Sequence, residues 1–333
     1  MTLVPACALL LLGAGAADEP GVTRAFRYMM GTQITVQAVG GDEAARAAAI
    51  EEAYAAFAEI DRLMSNYRDD SELSRVNRRA AEEAVTVSEP LMAVLAAAED
   101  VSRKSGGAFD VSVGPLVKLW GFHDKQARVP SAEELQRVRP LVDFKNIALD
   151  RKASTVRFAR AGVEIDLGGI AKGFAVELAA SVLRRAGLAG LIDAGGNQYL
   201  LGHPPGKAAW SIGLRDPQFA GKLLGVLDAP EGSVSTSAAY ASFLTANGRR
   251  YGHILDPRSL QPSEASLSVT VVSPDATLAD ALSTAAYVLG PQQGLKLIES
   301  YPGASGVIAS LQPDGGMALV VSPALQKAFR PER

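Results

Sequence analysis

The chain is poor in the residues that build soft metal sites. It has one cysteine and three histidines among 333 residues. Zinc centres and iron–sulfur clusters draw on those two types, so both chemistries are close to excluded. The lone thiol, Cys7, sits in an apolar run over residues 3–12 rather than near any chemistry-bearing motif. No G-x-S-x-G elbow supplies a serine nucleophile. There is no block of basic residues, and the formal net charge is −3. That argues against a nucleic-acid partner, which needs clustered Lys and Arg to neutralise phosphates. What remains is 48% hydrophobic and 21% charged, a composition that can bury a sizeable core.

The run at residues 3–12 is too short for a membrane span. Small residues follow at 13–17, then Asp18-Glu19-Pro20. This is the layout of a signal-peptide h-region with a cleavage site at Ala14-Gly15-Ala16, so residues 1–17 are expected to be removed on export to the periplasm. The positive n-region is missing. A lipid anchor on Cys7, holding the protein at the inner membrane, is the competing reading, and few apolar residues precede Cys7 to support it.

Residues 27–38 alternate like a strand opened by Met29-Met30-Gly31-Thr32. Residues 42–64 carry Ile50, Tyr54, Phe57, Ile60 and Met64 at helical spacing. Asp70 or Ser71 can cap a short helix, Ser88-Glu89-Pro90 starts another, and Ser131 with Glu134 makes a capping box. Two or three strands are expected over 144–165. Asn247-Gly248 signals a hairpin joining 243–245 to 251–254, with His253 on its return strand. Thr277 is expected to cap a helix running to 287, Gly290 to end it, and the proline-containing tail to fray. Helices and antiparallel strands mix without βαβ alternation, which makes one α+β unit.

The central stretch is Glu164-Ile165-Asp166-Leu167-Gly168-Gly169-Ile170-Ala171-Lys172-Gly173. An extended run, a glycine turn and a helix start point backbone N–H groups and a positive dipole end at an anion. Lys172 adds a charge for phosphate, and Asp166 can hold a ribose hydroxyl or a metal. The spacing is neither the P-loop nor the dinucleotide fingerprint, so a tight turn with a solvated lysine is the competing structural reading. Asp280 and Thr284 lie four apart on one helix face and make hard-oxygen ligands suited to Mg²⁺, which takes few carboxylates and keeps room for substrate phosphates. Their structural reading is a dipole-favoured aspartate and a buried threonine. His253 can serve as a general base, or be a structural residue of the sheet. His123 and His203 read as loop residues. Tyr67, within a polar loop, and Phe109 can face a flat ring or simply join the core.

As an ordered set these stretches resemble the ApbE family of FAD:protein FMN transferases. The resemblance covers nearly the whole chain after residue 22. It rests on Met30-Gly31-Thr32, Asp61 with Met64-Ser65-Asn66-Tyr67, Ser71-Glu72 to Asn77, Gly107-Ala108-Phe109-Asp110 through Trp120-Gly121-Phe122, Asp166 to Gly173, Asp193-Ala194-Gly195-Gly196-Asn197, Ser235-Thr236-Ser237, His253-Ile254-Leu255-Asp256-Pro257 and Asp280-Ala281-Leu282-Ser283-Thr284. It implies a single ApbE-like (T-fold-like) α+β unit over 22–325, of mainly antiparallel sheet with packed helices. It implies Mg²⁺-dependent transfer of FMN from FAD to a threonine hydroxyl of flavoprotein subunits of membrane redox complexes, releasing AMP. Met30, Tyr67, Ala108, Phe109, Asp110, Asp166, Lys172 and His253 would contact FAD. Gly169, Asp280 and Thr284 would hold Mg²⁺, and His253 or Asp280 would be catalytic. The chain departs from the family at Ala238, where Gly is frequent, and at Ser259-Leu260, where Thr-Gly is frequent. A FAD pyrophosphatase and a non-catalytic FAD-binding protein are the alternatives.

Overall fold

In the computed structural model, residues 21–332 are described except 125, 127, 239–242 and 247. The expected signal segment and Cys7 lie outside the described residues, as does Asn247 of the hairpin signal. No helix among the described residues is long and apolar enough to cross a membrane.

An eight-stranded sheet organises the chain. Across it the strands run Val22–Met29, Thr32–Val39, Ala189–Ala194, Asn197–Leu201, Gly232–Ala238, Ser268–Ser273, Ser305–Leu311 and Met317–Val321. Every neighbouring pair is antiparallel. The first two strands replace the single strand expected over 27–38. Met30 (φ 49°) and Gly31 (φ 73°) form a two-residue left-handed turn between them, the hairpin geometry that matches sheet twist.

Helices cover one face. Glu43–Met64 is capped by Asp42 and buries Ile50, Tyr54, Phe57, Ile60 and Met64, the stripe its periodicity announces. Beside it pack Ala171–Arg185 and Ala276–Leu289, and the sheet contributes Ile34, Val36, Ile192, Val269 and Val271 to the same core. The other face is closed by a three-stranded sheet, Trp210–Arg215, Leu223–Ala229 and Phe329–Pro331, over Leu191, Leu200, Val234, Val272 and Val307.

The tail therefore does not fray. Phe329–Pro331 pairs with Leu223–Ala229, and Phe329 is buried where Gly225 leaves room for its ring. Phe329→Ala is expected to cost about 3 kcal/mol, the lower end for a buried aromatic because the site lies near the chain end. A urea melt reads that loss as a lowered midpoint.

Other expectations are also adjusted. The helix Ala276–Leu289 is capped by Asp275, whose carboxylate accepts from Leu278 N at 3.0 Å, rather than by Thr277. Over 144–165 two strands form, Ile147–Asp150 and Thr155–Phe158, the lower of the two numbers expected. Residues 163–167 belong to no strand. Asn77 clamps both backbone groups of Ile165 (3.0 and 2.8 Å), and Asp166 N donates to Val111 O. His253 lies just past the strand Arg249–Gly252 instead of on it.

Candidate active site

The central stretch is held from below by its own apolar residues. Leu167 and Ile170 are buried, and they leave Gly168, Gly169 and Lys172 partly open. Asp166 shapes the turn: Oδ1 accepts from Gly168 N (2.8 Å) and Oδ2 from Asn66 Nδ2 (2.7 Å). Lys172 Nζ folds back to donate to Gly168 O (2.9 Å).

Neither Gly168 nor Gly169 takes the left-handed backbone, so conformational freedom is not what the second glycine supplies. It supplies space. A Cβ on Gly169 would sit 3.2 Å from Phe109 Cε2 and 3.2 Å from Thr284 Oγ1. The turn is thereby laid directly on the Thr284 side chain.

The helix start differs from the sequence expectation. Ala171–Arg185 has no side-chain cap, and the N–H of Gly173 donates to Asp280 Oδ2 at 2.9 Å. Part of the anion-attracting helix end is thus occupied by a carboxylate of the protein itself. Asp280 is 3% exposed. Burial pushes its pKa up, and the Lys172 charge, the Gly173 N–H and the Asn197 amide pull against that shift. Lys172 is the cation acting on Asp280, yet its ammonium is bonded to Gly168 O.

These groups line one cavity of about 340 Å³. Tyr67, Ala108, Phe109, Asp110, Asp166, Gly169, Lys172, His253, Asp280 and Thr284 all border it. Met30 does not. It sits in the first hairpin turn, half-buried against the main core. That turn still approaches the cavity wall through Thr32, which leaves no room for a Cβ on the lining residue Gly195.

Asp110 borders the cavity with its carboxylate already committed. Oδ1 accepts from Ser112 N and Ser112 Oγ (2.7 and 2.6 Å), and Oδ2 accepts from Phe144 N (2.7 Å). Burial raises its pKa against those bonds.

Several groups were not legible as functional. His123, expected to be a loop residue, stacks flat on Tyr67, centroids 4.4 Å apart and planes 3° apart. Asn66 and Asn77 hold the central stretch. Ser235 and Ser237 meet Ser283 and Thr284 through their hydroxyls. The alternation Ser233-x-Ser235-x-Ser237 was the available signal, since it places three hydroxyls on one strand face.

The donor set fits a hard cation. No cluster of three or more His, Cys, Asp or Glu capable of holding a metal occurs among the described residues. One carboxylate with neutral oxygens is a set that Mg²⁺ can take when phosphate oxygens complete its shell. The buried Asp280 carboxylate, bonded by neutral donors and bordering the cavity with Lys172, leaves an oxygen-ligand surface for a further cation.

Comparison with known proteins bears on the family and the fold. The ApbE family model matches residues 30–308. The FAD:protein FMN transferase of Treponema pallidum is 34% identical over 314 residues, 88% of this chain and 87% of that protein. The enzyme of the same name from Klebsiella pneumoniae is 34% identical over 80% of this chain and 82% of its own. Among solved structures, an ApbE protein of Thermotoga maritima superposes with a TM-score of 0.84 at 31% identity, covering 93% of this chain and 99% of that one. The flavinyl transferase ApbE of Pseudomonas stutzeri gives 0.80 at 32% identity, covering 92% of this chain and 96% of that one. With fold and sequence in agreement along nearly its whole length, the chain belongs to the ApbE family.

Proposed function

We propose that this protein transfers FMN from FAD to a threonine hydroxyl of an acceptor flavoprotein, with release of AMP. The observation that carries the reading is the buried Asp280 carboxylate at the base of a cavity walled by Tyr67 and Phe109 and edged by Lys172. The aromatic walls suit the flat ring system of the flavin. Lys172 and the open backbone at Gly168 and Gly169 suit the diphosphate.

Asp280, Thr284 and the Gly169 carbonyl would hold Mg²⁺. When bound, that ion supplies polarisation of the attacked phosphoryl group and charge stabilisation on the departing phosphate. The threonine oxygen forms a bond to the FMN phosphorus, the anhydride P–O bond to AMP breaks, and the threonine proton passes to a base. His253, which borders the cavity, or the Asp280 carboxylate would receive it. The remaining rate enhancement comes from positioning donor and acceptor in one water-poor site. The amino-terminal signal pattern favours a periplasmic enzyme acting on exported subunits of membrane redox complexes.

The test is incubation with FAD, Mg²⁺ and a purified acceptor domain, reading AMP release and the intact mass of the acceptor. AMP with a mass gain equal to FMN is expected. AMP with free FMN and no mass gain would mean a pyrophosphatase. Tightly held FAD without AMP would mean a binding protein.

Tyr67 offers a finer check. Tyr67→Ala removes the stacking surface, and the Michaelis constant for FAD should rise about tenfold, with kcat less affected. Steady-state titration of FAD at saturating acceptor measures both.

A further inference from the structure

The hydroxyls behind the proposed cation site form a chain whose direction can be worked out. Ser283 Oγ donates its only proton to the Asp280 backbone carbonyl at 2.9 Å. A carbonyl cannot donate, so that bond fixes the first link. Ser283 also lies 2.8 Å from Ser237 Oγ. With the Ser283 proton committed, Ser237 must be the donor there. Ser237 in turn lies 3.3 Å from Thr284 Oγ1. With the Ser237 proton committed, Thr284 must be the donor.

The neighbouring link runs in the same sense. Ser235 Oγ donates to Asn197 Oδ1 at 2.6 Å, which leaves the Asn197 amide N–H to serve the Asp280 carboxylate. The Thr284 proton is therefore drawn onto the strand and its lone pairs are left for the cavity, which both Thr284 and Ser237 border.

We propose that Ser237 is a positioning residue, whose hydroxyl accepts a hydrogen bond from the Thr284 hydroxyl and so presents the Thr284 oxygen as a cation ligand. This rests on the cation reading of Asp280 and Thr284 given above. An alkyl side chain at 237 would leave the Thr284 hydroxyl free to rotate its proton toward the cation. It would also strip Ser283 of a donor.

Binding of Mn²⁺ to the full protein in the presence of FAD, followed by the electron-paramagnetic signal of free Mn²⁺, tests this without turnover. Ser237→Ala should weaken Mn²⁺ about five- to tenfold, the scale of one hydrogen bond. Ser237→Thr keeps the hydroxyl and should bind within about twofold of wild type. In a Thr284→Val background the ligand oxygen is already gone, so adding Ser237→Ala should change nothing further. Equal affinity of Ser237→Ala and wild type would overturn the proposal, and so would an unchanged penalty in the Thr284→Val background. Failure of the wild type to bind Mn²⁺ would instead overturn the cation reading, and this proposal with it.

Discussion

Asp280→Asn is expected to lower FMN transfer by about a thousandfold or more, the several kcal/mol that the proposed phosphate-bound cation would contribute. The same substitution should remove the rise in melting temperature that the proposed Mg²⁺ site is expected to give the wild type with FAD present. The shape is nearly conserved, so the effect isolates charge. It also reverses a stability term. Burial raises the folded-state pKa of Asp280 above its unfolded value. A group shifted that way stabilises the fold at acid pH and loses that contribution as pH rises toward and through its folded pKa. In metal-free protein the wild type should therefore fall relative to Asp280→Asn as pH is raised from about 4 upward, where an unfolded-state aspartate ionises. Melting curves of both proteins across that range measure it. A constant difference between them would mean that Asp280 is adequately paired without a cation.

Gly173→Ala is expected to damage fold and site together. Glycine inside a helix ordinarily invites the opposite result, since alanine there gains about 1 kcal/mol of helix propensity. Here the added Cβ would lie 2.2 Å from the Ala276 carbonyl oxygen and 2.7 Å from Asp280 Cβ. The first contact is with backbone, which cannot rotate away, so the helices Ala171–Arg185 and Ala276–Leu289 must separate. Overpacking of this kind costs about 1–3 kcal/mol or more and outweighs the propensity gain. A net loss near 2 kcal/mol lowers the melting temperature by about 3 °C in a chain of this size. Separation also stretches the bond from Gly173 N to Asp280, so transfer should drop about a hundredfold. A melt and a rate measurement on one preparation check both. A rise in melting temperature would show that the two helices tolerate the methyl group.

The parts of this fold that were legible in sequence are those set by neighbours along the chain. Side chains at 50, 54, 57, 60 and 64 share a helix face by periodicity alone, and Ser71, Ser88 and Ser131 each cap the helix that follows. Local choice between two capping residues was harder. Thr277 and Asp275 both suit the role, and the aspartate wins because its carboxylate reaches Leu278 N. Sheet order was not legible, because pairing of 32–39 with 189–194 joins segments some 150 residues apart and no local pattern names the partner. The tail strand is the same case, since Phe329 finds its pocket only at Gly225.

The site divides the same way. Asp280 and Thr284 share a helix face by their spacing, and both reach the cavity. Asp110 also borders it, but its carboxylate is spent on Ser112 and Phe144, the latter 34 residues on. The direction of the Ser237 chain depends on contacts across 46 and 47 residues, so no reading of the strand by itself could reach it.

The measurement that tests the account most directly is anomalous diffraction from crystals holding FAD and Mn²⁺ in place of Mg²⁺. The account predicts a single strong peak within coordination distance of the Asp280 carboxylate, Thr284 Oγ1 and the Gly169 carbonyl, touching the FAD diphosphate, while the flavin lies along Tyr67. FAD seated in the cavity with no peak beside Asp280, or with the metal bound elsewhere, would contradict it.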